Sequence, residues 1–300
     1  MNRPPRWTDD DSLRAARWRL RERDLILPRR PLLMGILNVT PDSFSDGGNY
    51  LAQQAAVEQG MRLASEGADL IDIGGESTRP YSTPVSEQEE LSRVLPVVES
   101  LAGKLTIPLS IDTSKARVAE ACVQAGAEII NDVTGLQGDP RMIDAAVSTG
   151  AGVCVMHMQG TPQVMQDSPT YQDVVEDVFD YLRERRDALE EAGIAPDKIA
   201  LDPGVGFGKT HQHNLALLAN CERFHELGRP LLLGPSRKGF IGKLLQDKQA
   251  PRVFGTIGVA LSLASQGVQV LRVHDVGAVR EALLLFDSCG GIDGLPASID

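Results

Sequence analysis

Two sets of polar residues in this chain have types and spacings suited to chemistry. The first is Lys238, Arg272 and His274. Arginine offers phosphate oxygens a planar fork, and lysine and imidazole add further N–H donors. Arg272 and His274 lie two positions apart, so on a strand their side chains point to the same side. Arg79, in a loop containing glycine and proline, could swing in as a further cation. The plainer reading of Arg272 is an ion pair with an acidic neighbour in a strand wall. The second set is Asp112, Asn131 and Asp202. A carboxylate accepts two parallel N–H bonds from an amino-pyrimidinone edge, while asparagine both donates and accepts. Pteridines and nucleobases share that edge, so the residue types reach only a flat nitrogen heterocycle.

Each of these residues lies at the end of a short apolar run or in the loop that follows it. Runs at 32–37, 69–73, 107–111, 128–130, 152–156, 199–201, 230–233 and 268–273 are nearly continuous in Leu, Ile and Val. That character suits strands buried on both faces of a parallel sheet. Segments with helical periodicity lie between them. Ser86 and Glu89 form a capping box ahead of Leu91, Val94, Leu95 and Val98 on one face. Asp139-Pro140 starts another helix, and Gly193 stops a third. Eight strand–helix repeats over about 260 residues match a single-domain α/β fold, the (β/α)₈ TIM barrel. A doubly wound open sheet is the competing architecture. The expected organisation is an Arg-rich N-terminal extension over residues 1–30, a barrel over 31–290 and a C-terminal tail over 291–300. Barrel active sites form at the C-terminal ends of the strands, and loops 7 and 8 often hold phosphate. In this chain those ends carry Asn38, the stretch 74–79, Asp112, Asn131 with Asp132, His157, Asp202, Ser236 with Lys238, and Arg272 with His274. Helix capping accounts for Ser114 and Asp132, but not for Lys238, Arg272 and His274.

Composition narrows the class. With 30 basic and 41 acidic residues among 300, the net charge is −11. That disfavours a protein whose main task is coating nucleic acid or an anionic membrane. The extension holds both tryptophans, Trp7 and Trp18, and reads as a surface segment, partly helical between Ser12 and Arg23. Acidic residues interrupt its basic run, which weighs against a nucleic-acid arm. The four cysteines are far apart and suit a reducing compartment. There is no apolar run of the roughly 20 residues that a bilayer requires, and no signal-peptide core is evident. A cytoplasmic enzyme is expected. Residues 38–48 suit a mobile active-site loop. Gly204, Gly206 and Gly208 suit either close backbone approach to a ligand or a tight turn. His211 and His213 diverge at their spacing on a helix, so zinc is not expected there. Cys154, within a strand, reads as core.

The motifs are recognisable in series. Residues 34–48 (MGILNVTPDSFSDGG) closely resemble the first signature of the bacterial dihydropteroate synthases, and residues 72–80 (DIGGESTRP) the second. Stretches 110–113, 129–132, 156–160, 201–209, 234–238 and 272–275 complete eight motifs in order, spanning about residues 31–288. The resemblance implies a pterin-binding transferase of folate biosynthesis. This family joins 4-aminobenzoate to 6-hydroxymethyl-7,8-dihydropterin diphosphate, uses Mg²⁺, is usually homodimeric and is the target of sulfonamides. By position, Asp112, Asn131, Asp202 and Lys238 would hold the pterin, and Arg272 and His274 would grip the diphosphate, with Thr78 in the closing loop. Phe44, Arg79, Pro80, Phe207 and Ser236 would form the aminobenzoate pocket, and Asn38 would ligate Mg²⁺. Asp112, Lys238, Arg272 and His274 would carry a dissociative, SN1-like substitution. Two alternatives share the barrel. One is a pterin-binding methyltransferase serving a corrinoid partner, which has no need of the diphosphate grip. The other is a catalytically silent paralogue, expected to have lost Asp112, Asn38 or Lys238.

Overall fold

The computed structural model describes residues 13–40, 48–79, 81–247 and 249–296, the side chains of 48–50 excepted. A short hairpin, β1 (Arg17–Arg19) and β2 (Asp24–Ile26), precedes eight parallel strands. These are β3 (Leu32–Asn38), β4 (Leu70–Gly74), β5 (Leu109–Asp112), β6 (Ile129–Asp132), β7 (Gly152–Met156), β8 (Ile199–Asp202), β9 (Leu232–Leu233) and β10 (Val270–Val273). The hydrogen-bonded order β8-β7-β6-β5-β4-β3-β10-β9 is closed by a parallel bridge between Leu201 and Leu231. Outside lie α1 (Gly48–Ser65), α2 (Glu87–Ala102), α3 (Ala116–Gln124), α4 (Met142–Thr149), α5 (Val174–Glu191), α6 (His211–Ala219), α7 (Gly239–Leu244), α8 (Val253–Ser265) and α9 (Val276–Ser288). The expected barrel is therefore present, and all eight apolar runs fall on its strands.

Side-chain alternation along these strands builds two cores. Leu33, Leu37, Ile71, Ile73, Ile111, Ile130, Val153, Val155 and Leu271 face outward, against the helices. Met34, Leu70, Ile129, Cys154, Ala200, Leu232 and Val270 face inward and fill the lower barrel. Two positions further along, the same inward parity brings Asp72, Asn131, Asp202 and Arg272 towards the other end. Strand register aligns Asp112 with Asn131 and with Gly74, so these residues share a level.

The N-terminal extension differs from its expected form. Between Ser12 and Arg23 the described residues form a strand, not a helix, because Arg17, Trp18, Arg19 and Leu20 alternate out and in. Trp18, Leu20 and Leu27 are buried and plug the base of the barrel against Leu232 and Val270. The Trp18 indole N–H donates to the Lys198 carbonyl at 2.9 Å. The tail also folds back: Ile292 is buried, and Arg29 pairs with Asp287 and Asp293.

Helix ends follow local chemistry, with one exchange. Ser86 Oγ accepts from Glu89 N at 3.2 Å, but Glu89 turns its carboxylate to Arg93 instead of completing the box. The reciprocal box is found on α6, between Thr210 and His213. His213 is thus a cap, and no group of three or more His, Cys, Asp or Glu that could hold a metal occurs among the described residues. The helix-capping expectation for Ser114 and Asp132 does not hold: α3 is entered at Lys115 with no side-chain cap, and Asp132 accepts from Thr134 N and Leu136 N in the turn after β6, ahead of α4. All four cysteines are free, Cys154 being buried in the inner core. Among the described residues no helix is long and apolar enough to cross a membrane.

Candidate active site

A cleft of about 980 Å³ opens at the C-terminal ends of the strands. Asn38, Thr78 and Asp112 line it from the first three barrel strands and their loops, with Arg79 at the exposed edge. Phe207, Ser236, Lys238, Arg272 and His274 line it from the last three. Asn131 and Asp202 lie beneath this lining and are 6% and 7% exposed. The two acids, the amide and the cations expected at one rim are therefore gathered there. Phe44 and Pro80, and most of the loop 38–48, fall outside the described residues.

Arg272 settles between two carboxylates. Its Nε donates to Asp72 Oδ2 at 2.5 Å, and its Nη2 donates to Asp112 Oδ2 at 2.7 Å. The wall ion pair and the cleft lining, alternatives in the sequence, are both properties of this one side chain. Burial works against its charge, but the two carboxylates more than compensate, and the guanidinium stays protonated. Burial pushes Asp112 upward, while Arg272 pulls it back. Asn131 Nδ2 donates to Asp72 Oδ2 at 3.1 Å, so Asp72 receives both neighbours on one oxygen. Asp202 accepts from Gly204 N at 2.7 Å; burial raises its pKa, and Lys238 is the nearest opposing cation in effect.

At the rim, Lys238 stands over the Phe207 ring with its ammonium 4.1 Å from the centroid, a cation–π contact. Burial lowers the Lys238 pKa, and Asp202 opposes it. His274 Nδ1 lies 2.9 Å from Ser236 Oγ. Burial, with Arg237 and Arg272 nearby, lowers His274 to about 4, so its imidazole is neutral at pH 7. Arg237 takes φ +57°, a left-handed conformation that turns the chain between Ser236 and Lys238. Its guanidinium then forks onto Asp275 at 2.5 and 3.1 Å.

Sequence reasoning missed Asp72 and Lys209 as individuals, although both lie within motifs it used. Lys209 is 2% exposed and donates to His157 Nδ1 at 2.9 Å, to His157 O at 3.3 Å and to Phe207 O at 2.9 Å. That uses all three ammonium hydrogens. Burial and the lysine charge push His157 down to about 3, so its Nδ1 is an acceptor. His157 is buried behind the cleft instead of lining it. The Gly204–Gly208 segment is a turn pressed on its neighbours. Gly204 has φ +70°, and a Cβ there would meet His157 O at 1.9 Å. A Cβ on Gly206 would meet Lys238 Cδ at 2.9 Å. Gln166 and Asn214 bond the two polar groups of the Gly206 backbone, and the Tyr171 hydroxyl donates to Gly208 O. The signal for this clamp was weak because its members are scattered over separate loops and α6.

Residues 34–274 match the family described as pterin binding enzyme. The dihydropteroate synthase of Escherichia coli K12 is 47% identical over 258 residues, covering 86% of this chain and 91% of that protein. The solved dihydropteroate synthase of Xanthomonas albilineans with 4-aminobenzoic acid superposes with a TM-score of 0.85 at 48% identity, over 91% of this chain and 97% of that one. The complex of the synthase from the same organism with 7,8-dihydropteroate gives a TM-score of 0.81 at 46% identity, over 90% and 97%.

Proposed function

Since the chain belongs to the pterin-binding enzymes and, among them, to the dihydropteroate synthases, we propose a role in that chemistry for each part of the cleft. The enzyme condenses 6-hydroxymethyl-7,8-dihydropterin diphosphate with 4-aminobenzoate and releases pyrophosphate and 7,8-dihydropteroate. The observation that carries this is the meeting, at one barrel rim, of the Asp112, Asn131 and Asp202 set with Lys238, Arg272 and His274.

In this reading the acids and the amide bind the pterin edge from below, and Lys238 holds the ring beside Asp202. Arg272 and His274, with Thr78, take the diphosphate. As the bond from the methylene carbon to the phosphate oxygen breaks, negative charge moves onto pyrophosphate, and the Arg272 guanidinium stabilises it, with neutral His274 and Thr78 as hydrogen-bond partners. Asp112, beside the ring, stabilises the positive charge that develops on the pterin methylene. The amine of 4-aminobenzoate then bonds to that carbon and loses a proton. Phe207, Ser236 and Arg79, with Phe44 and Pro80, form the wall for the aminobenzoate ring and carboxylate. The substitution is dissociative, SN1-like. Its support is the arrangement of opposite charges at the two ends of the breaking bond.

Mg²⁺ fits this donor set in one way. Asn38 presents an amide oxygen at the half-buried rim, a hard donor that Mg²⁺ accepts alongside phosphate oxygens and water. No group of three or more His, Cys, Asp or Glu that could hold a metal occurs among the described residues, so Asn38 would be the protein's ligand, with phosphate oxygens and water completing the shell. When bound, the ion would neutralise charge on the leaving group. A homodimer is supported by exposed Leu244 at the end of α7, Leu245 just after it, Phe254 on α8, and Leu284 and Leu285 on α9. A cytoplasmic location is supported by four free cysteines.

The test is direct. Purified protein supplied with both substrates and Mg²⁺ should release pyrophosphate and form dihydropteroate in equal amounts. Binding of the pterin diphosphate without pyrophosphate release would show a silent paralogue instead.

A further inference from the structure

Asp72 touches no lining surface of the cleft, yet two substrate-facing side chains converge on it. It is 0% exposed on the inner face of β4. One oxygen, Oδ2, receives both Arg272 Nε and Asn131 Nδ2. The other, Oδ1, is buried with no hydrogen-bond partner. A buried carboxylate left half satisfied is costly, and the partners it does have are the two groups that must hold still beneath the substrate. The guanidinium has five N–H donors. One is spent on Asp72 and one on Asp112, which leaves three for an anion.

Resting on the functional reading above, we propose that Asp72 is a positioning residue that pulls Arg272 down and away from Asp112. Asp72 and Asp112 compete for one cation, Asp72 through Nε and Asp112 through Nη2. With both charged, Arg272 sits between them, its free donors pointing to the rim, and Asp112 keeps an oxygen for the pterin N–H groups. Without the Asp72 charge, Arg272 closes on Asp112 alone. The acid that should receive the pterin is then occupied, and the fork turns from the diphosphate.

The hydrogen-bond pattern supplies a clean perturbation. Both donors meet the same Asp72 oxygen, so Asp72→Asn keeps an acceptor there and places its amide nitrogen where Oδ1 has no partner. Geometry is retained and charge is removed. Calorimetry should show the Kd of the pterin diphosphate rising at least tenfold. In steady-state turnover at saturating pterin, KM for 4-aminobenzoate should move less than twofold. In an Arg272→Ala background the same Asp72→Asn change should alter the pterin diphosphate Kd by less than threefold, the remainder passing through Asn131, whose Nδ2 also donates to Asp72 Oδ2. Equal losses in both backgrounds, or an unchanged Kd in the single variant, would overturn the proposal. If Asp72→Asn does not fold, Asp72→Ser, which leaves room for water beside the guanidinium, is read by the same ratios. Failure of both to fold would mark Asp72 as a purely structural partner and overturn it equally. Wild-type protein that binds no pterin diphosphate would refute the functional reading itself, an outcome distinct from an additive cycle.

Discussion

The barrel base offers the sharpest stability prediction, through Trp18→Ala. Trp18 is fully buried, packed in the inner core with Leu20, Leu27, Leu232 and Val270, and its indole donates to Lys198 O. Truncating a buried tryptophan costs about 3–5 kcal/mol, because the cavity collapses only partly. Leaving the Lys198 carbonyl unpaired falls within the upper half of that range. A loss of about 4 kcal/mol, set against an unfolding entropy of roughly 0.6 kcal/mol/K for a chain this long, lowers Tm by about 6 °C. Trp18→Phe keeps most of the ring and loses the N–H, so it should cost about 1–2 kcal/mol. Urea titrations followed by far-ultraviolet circular dichroism give both values. The plug lies at the end of the strands opposite the cleft, so kcat of the folded fraction should stay within twofold. A loss below about 1 kcal/mol for Trp18→Ala would show that the hairpin is only a surface extension. Lost kcat at unchanged stability would refute the separation of the two ends.

Lys209→Met keeps the stem length and removes the ammonium that ties His157 to the Phe207 carbonyl. Steady-state kinetics should show KM for 4-aminobenzoate rising about tenfold, equivalent to about 1.4 kcal/mol, and more than the pterin diphosphate KM; equal changes in both would remove the Phe207 loop as the element affected. His225, which donates to Gln266 O, is held down at about 4 by burial. Its folded pKa lies below its unfolded value of about 6.5. Its contribution is therefore complete above that value and lost as pH falls towards 4. The stability advantage of wild type over His225→Gln should shrink by about 2 kcal/mol between pH 7 and pH 5 in denaturant titrations. An advantage that does not change with pH would contradict a buried neutral imidazole.

The barrel was legible because parallel strands buried on both faces leave continuous apolar runs, and six of the eight runs are followed at once by a polar residue. The hairpin was not. Arg17, Trp18, Arg19 and Leu20 alternate in burial over only four residues, too short a window to outweigh an arginine-rich composition. Positions in the cleft were legible where a side chain faces it from a strand end, as for Arg272 and Asp112. They were hidden where one polar residue serves another. Nothing local marks Asp72 as the partner of Arg272, which lies 200 positions away. Nor does spacing tell that Lys209 spends its donors on His157 and Phe207. The half-used capping box at Ser86 has the same origin, since Glu89 had Arg93 one turn away as an alternative partner.

The charge layout of the cleft answers an apparent contradiction. A chain with net charge −11 must bind a diphosphate and a carboxylate. At physiological ionic strength the general field is screened beyond about 8 Å, so the local balance decides. Within the site, Arg272, Lys238 and Lys209 face Asp72, Asp112 and Asp202. Arg79, Arg237 and Arg252 add further cations to a lining whose acids are Asp112 and Glu76, so cations are in excess at the rim and the charges are not mixed evenly. Asp72 and Asp202 are almost fully buried beneath the cleft, while Lys238 and Arg272 reach its lining. The result is a fixed dipole that runs from acids in the barrel to cations at the rim. An uncharged heterocycle with N–H donors is favoured at its lower end, and an anion at its upper end. A substrate joining the two through one methylene lies along that dipole, and the bond between them is the one whose charges separate when it breaks. In the dissociative substitution proposed above, the groups that orient the substrate would also stabilise both fragments, with no reorganisation at the moment of cleavage.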